Sequence, residues 1–153
     1  MHSTIFNIVE LKEEKDYIGP DEEQLLDMAK KYGADYVGYE AKESQKELLD
    51  LLIRWYPNYI EKVNENTFKL NTKGIEREAL ERKNKLINLL NEKEVDSLLD
   101  WGTRKDMKNL LADDYGGTLI NNNLDFKCLD DFVFDKDYHD VIFKIMSAYD
   151  YHY

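Results

Sequence analysis

Ile5-Phe6-Asn7-Ile8-Val9-Glu10-Leu11 is β-branched and apolar on both faces, the pattern of a strand inside a sheet rather than at its edge. Downstream, Gly19-Pro20 opens a helix whose first turn carries Asp21, Glu22 and Glu23, where the helix dipole favours anions. Leu25, Met28, Ala29 and Tyr32 recur at i, i+3, i+4 and i+7, and Gly33 ends the helix. Residues 35–41 alternate Val37, Tyr39 and Ala41 against Tyr36 and Gly38 and read as a second strand. Strand, helix and strand in this order predict a parallel pair joined by a right-handed crossover.

The chain continues with a capping box, Ser44 with Glu47, ahead of Leu48, Leu51, Leu52 and Trp55; Pro57 closes that helix. Residues 59–63 and 67–71 predict a hairpin around Asn64-Glu65-Asn66, with Phe68 and Leu70 on one side. A long helix follows over 75–92 with Ile75, Ala79, Leu86 and Leu90 inward, then a short one over 95–101 that Gly102 ends. Thr103 and Asp106 cap the next helix, whose Met107, Leu110 and Leu111 share a face, and Gly116-Gly117 breaks it. A second hairpin spans 118–121 and 124–129, alternating Leu124, Phe126 and Cys128, and a terminal helix presents Tyr138, Val141 or Ile142, Ile145 and Tyr149. The expected class is α+β: one compact, helix-rich domain over 1–153 with an N-terminal strand-helix-strand unit and two short β-hairpins. A subdivision into 1–71 and 72–153 is the alternative.

At 153 residues one domain is the default. Apolar residues make up 42% of the chain, enough to build a core and to argue against wholesale disorder. No apolar run approaches the roughly 20 residues of a membrane span, and the start Met1-His2-Ser3-Thr4 lacks the features of a signal peptide. Cys128 stands alone, so no disulfide framework exists. A cytoplasmic protein without a cofactor is expected. Only four of the 21 bases are Arg and Asn is plentiful, a bias that an AT-rich bacterial or phage genome produces.

The net charge of -11 is uneven. Residues 1–53 carry 13 acids and 6 bases, residues 54–112 carry 10 acids and 12 bases, and residues 113–153 carry 9 acids, all Asp, and 3 bases. Such a chain repels phosphate backbones as a whole, which disfavours generic nucleic-acid binding and leaves room for one local basic patch.

Three functional readings follow. The first rests on the C-terminal acids and tyrosines: Asp113, Asp114, Tyr115, Asp130, Asp131, Asp135, Asp137, Asp140, Asp150 and Tyr151. Carboxylates steer basic partners and Tyr gives contact area at low entropic cost. This predicts a small acidic interaction protein that binds and neutralises a basic protein, such as a nuclease or nucleic-acid-binding protein. Immunity proteins, antitoxins and anti-defence proteins act this way, and partial mimicry of nucleic acid is one version. The second is a winged-helix DNA-binding regulator over 94–129, with Arg104, Lys105 and Lys108 on the recognition helix and the 118–129 hairpin as wing. The third is a metal-dependent phosphoesterase. Asp135, Asp137 and His139 alternate and would share one face of an extended segment that could hold Mg²⁺ or Mn²⁺. A nucleophilic mechanism lacks its parts: Cys128 has only Lys127 beside it, and no nucleophile elbow, phosphate loop or dinucleotide turn occurs.

Overall fold

The strand expected at 5–11 is β1 (His2–Glu10), and it runs through the middle of a mixed, seven-stranded sheet. The structure is a computed structural model that describes residues 2–111 and 117–152. After β1 come α1 (Glu22–Ala29), β2 (Tyr36–Glu40), α2 (Gln45–Trp55), β3 (Ile60–Lys62) and β4 (Thr67–Leu70). Then follow α3 (Thr72–Glu92), α4 (Trp101–Leu111), β5 (Leu119–Asn122), β6 (Asp125–Cys128), α5 (Leu129–Phe134) and β7 (Ile142–His152). Along the sheet the order is β3-β4-β7-β1-β5-β6, with β2 also on β7. The fold is α+β, and strands from both sides of residue 71 share this sheet.

β1 has a partner on each edge and helices over each face, which is why Ile5 through Val9 are all buried. It pairs parallel to β5, Ile5 opposite Leu119, and antiparallel to β7. Phe6 and Ile8 meet Leu49 and Leu52 of α2, Phe132 of α5, and Phe143 and Ile145 of β7. On the other face Ile5 gathers with Leu25 and Ala29 of α1, Val37 and Tyr151. Each fully buried side chain of this size contributes about 1.5–3 kcal/mol. Asn7, wholly buried among them, is satisfied: Asn121 Nδ2 donates to its Oδ1 at 2.8 Å, and its Nδ2 donates to Ser147 Oγ at 2.9 Å.

The helix starts follow from capping. Asp21 and Gln24 form a reciprocal box ahead of α1, so Pro20 precedes the cap rather than occupying the first turn. Ser44 and Glu47 do the same for α2. Asp100, not Thr103, caps α4: its carboxylate accepts from the Thr103 N–H at 2.9 Å and the Thr103 hydroxyl at 3.0 Å. Trp101 and Gly102 therefore begin α4 instead of ending the helix before it, and residues 95–99 form only a 3₁₀ turn. On β6, Lys31 Nζ and the Tyr32 hydroxyl donate to the Phe126 carbonyl at 3.0 and 3.2 Å.

Three expectations are corrected. The predicted terminal helix is β7, an eleven-residue strand. The predicted parallel pairing of the first two strands does not occur, because β7 lies between them and pairs antiparallel with each. The second hairpin forms, but β5 is bonded to β1, so β5–β6 is part of the central sheet and does not stand beside α4 as a wing.

Candidate functional site

The structure takes part of the predicted acidic face into the fold. Asp113, Asp114 and Tyr115 lie outside the described residues. Tyr151 is wholly buried and its hydroxyl donates to the Gly117 carbonyl at 2.6 Å, which makes it a core residue. Asp130 is buried too, and accepts from the Arg82 guanidinium at 2.8 and 3.5 Å. The same guanidinium donates to the Tyr59 hydroxyl at 2.8 Å and pairs with Glu78 at 3.4 Å. Burial works against its charge, but the hydrogen bond and charge of Asp130 outweigh this and raise its pKa. Asp135 is held below the usual carboxylate range, first by the Lys127 ammonium at 2.9 Å and then by the Asp137 N–H. Lys127 also pairs with Asp125 at 3.3 Å. Two carboxylates of the predicted face, Asp130 and Asp135, are thus engaged within the fold. Asp131, Asp137, Asp140 and Asp150 are exposed.

The proposed metal ligands do not converge. No group of three or more His, Cys, Asp or Glu side chains that could hold a metal ion is found among the described residues. Asp135 is taken up as described, and His139 Nε2 lies 3.0 Å from the Val133 carbonyl, to which it donates. Cys128 is half-buried, and burial pushes its thiol up to about 11, leaving it protonated near neutral pH.

Arg104, Lys105 and Lys108 share one face of a helix, on a feature that composition did not announce. α3 and α4 form a helical arm. Of the 21 residues of α3 only Gly74 and Ile75 are buried, at the end that meets the sheet. Taking about 100° per residue, Ile75, Glu78, Arg82, Leu86 and Leu89 form its inner face. Lys85, Asn88, Leu89 and Glu92 face Asp106, Asn109 and Leu110 of α4 across an open cleft of about 450 Å³. That leaves a flank of α3 away from α4, and on it Leu80 (56% exposed), Ile87 (43%) and Leu90 follow one another. Leu99 and Trp101, at the far end of the arm, are also exposed. On α4 the residues Trp101, Arg104, Lys105 and Lys108 recur at i, i+3, i+4 and i+7, opposite Thr103, Met107 and Leu110, and all four are exposed.

No protein-family model, curated protein or solved structure matches the chain. Among the described residues no helix is long and apolar enough to cross a membrane.

The outward flank of α3 departs from the expectation that Leu90 faces inward. The signal was present: Leu80 and Ile87, seven residues apart, cannot share a face with Ile75, Arg82 and Leu89 on a straight helix. A helix with two apolar stripes and one side against the fold has a stripe to spare.

Proposed function

We propose that the protein is a non-enzymatic interaction module that binds and occludes a basic protein partner. The acidic body steers the approach, and the outward flank of α3 supplies the apolar anchors. One observation carries this reading: a 21-residue helix with two buried residues holds Leu80, Ile87 and Leu90 toward solvent. Apolar residues aligned on an exposed helix face are the pattern of helix-in-groove docking. These side chains are already about half covered, so burying the rest contributes about 1 kcal/mol each, and contacts around them must help meet the rigid-body cost of association. The charge of -11 favours a basic partner at long range. A second copy is a poorer occupant. Two copies, each of charge -11, repel one another at long range.

The test is affinity capture from the native cell with the wild-type chain and a Leu80→Glu, Ile87→Glu variant. Both substituted positions are exposed, so the variant keeps its fold, which circular dichroism checks. The expected result is a basic protein retained by wild type, lost to the variant, and associating more slowly as salt rises from about 0.05 to 0.3 M. The same set of proteins on both baits refutes the reading.

A further inference from the structure

The basic stripe on α4 is a different surface from the apolar flank of α3, and it calls for a different ligand. In a chain of net charge -11, Arg104, Lys105 and Lys108 place three cations within two helical turns on one exposed face. Trp101 lies on the same face with 71% of its surface exposed. Lys105 Nζ is 5.2 Å from the centre of its ring. The four side chains and Asn109 line a shallow depression of about 430 Å³. The cations match an anionic ligand, and the exposed indole matches a flat, apolar one; a nucleotide chain has both parts.

We propose that this face of α4 binds single-stranded nucleic acid, with Trp101 stacking on one unpaired base and Arg104, Lys105 and Lys108 on neighbouring phosphates. From Trp101 to Lys108 the stripe is about 10 Å long, so it contacts only a few nucleotides. A duplex is excluded by both halves of the argument. Its bases are already stacked and offer no face to Trp101, and its denser charge meets more of the repulsion from the acidic body. An acidic peptide satisfies the cations alone and leaves the indole without a flat partner. The low overall affinity for nucleic acid expected from net charge still holds away from this stripe.

The experiment is fluorescence anisotropy of a dye-labelled oligothymidylate of about 12 nucleotides titrated with the purified full chain. A duplex of equal length and a polyglutamate peptide serve as competitors. Saturable binding is expected, with log K falling against log salt with a slope near -2, because three phosphates each contribute about -0.7. Trp101→Ala weakens binding about 5- to 150-fold with the slope unchanged, and Trp101→Phe recovers part of the loss. The double substitution Lys105→Ala, Lys108→Ala flattens the slope by about 1.4. The proposal is overturned by absence of saturable binding at about 0.05 M salt. Equal competition by duplex or polyglutamate overturns it too, as does a Trp101→Ala variant that binds like wild type. Because Leu80 and Ile87 lie on the other helix, their substitution leaves this titration unchanged.

Discussion

Replacing Gly74 by Ala tests how the arm is joined to the sheet. In the first turn of a helix Ala is ordinarily the better residue, by about 1 kcal/mol. Here the sign reverses. A methyl group on Gly74 would fall onto the Asn58 carbonyl oxygen, well inside contact distance, and would sit 3.0 Å from the Asn58 carbonyl carbon and 2.9 Å from Asn71 Nδ2. Neither neighbour can yield cheaply. Asn58 is backbone in the turn where the Tyr59 N–H bonds to the Tyr56 carbonyl, and the Tyr59 carbonyl accepts from the Asn71 N–H at 2.8 Å. Asn71 is the helix cap, its Oδ1 accepting from the Gly74 N–H at 3.1 Å. Overpacking of this kind costs about 1–3 kcal/mol, and displacing the cap costs about 1 more. Set against the gain in propensity, the net loss is about 1–3 kcal/mol, or a fall in Tm of about 2–10 °C for a chain of this size. Urea and thermal unfolding followed by circular dichroism read it directly. Gly102→Ala is the control, because its methyl would meet only the Asp100 Oδ1 atom at 3.3 Å, the end of a side chain. A Gly74→Ala protein as stable as wild type, or more so, would falsify the account of the junction.

Two further predictions concern the rest of the fold. The β5–β6 turn holds Asn123 at φ 47° and Leu124 at φ 80°, the left-handed region at both central positions, and Leu124 is 58% exposed. Leu124→Gly removes strain of about 1 kcal/mol and little burial, so it should raise the urea midpoint while Leu124→Ala does not; equal midpoints for the two would count against the turn assignment. For the Lys127–Asp135 pair, the Asp135 carboxyl titrates below its unfolded value in the folded chain, chiefly through Lys127. Its stabilisation is therefore complete above the unfolded value, near 4, and is lost as pH falls through the folded value. Lys127 is raised by the same hydrogen bond, so its share persists through neutral pH and is lost only in strong base. The stability gap between wild type and Lys127→Met should thus be wide at pH about 6 and narrow at pH about 2, and a gap that stays constant across that range refutes the pairing.

Local signals carried most of the elements. The Ser44–Glu47 box placed α2, and the apolar run of β1 announced a strand buried on both faces. The misreading of β7 has an identifiable cause. Asn7 pairs with Ser147 but Ile8 with Ile145, so Met146 is an extra residue in the strand. The bulge puts Phe143, Ile145 and Ala148 on one face and turns Tyr149 and Tyr151 to the other. An alternation interrupted in this way imitates helical spacing, and only the partner strand shows where the extra residue falls. The site was less legible than the fold. Arg104, Lys105 and Lys108 could be picked out because one helix sets their spacing. The acidic set could not be judged, since Asp130 is neutralised by Arg82, 48 positions away.

What the sequence alone determined is whatever depends on near neighbours: the Ser44–Glu47 cap, the two hairpins, the α+β class, the charge of -11 and the basic stripe of α4. The tertiary structure alone decided that β7 separates β1 from β2, that the second hairpin belongs to the sheet, and that Tyr151 is core. It also decided that α3, tied to the body as far along as Arg82, keeps an apolar flank in solvent. The division is physical. Capping and periodicity act over a few residues and are written in order along the chain. Strand pairing and burial are chosen by competition among distant segments for the same hydrogen bonds and the same apolar surface, and no single segment holds the outcome of that competition.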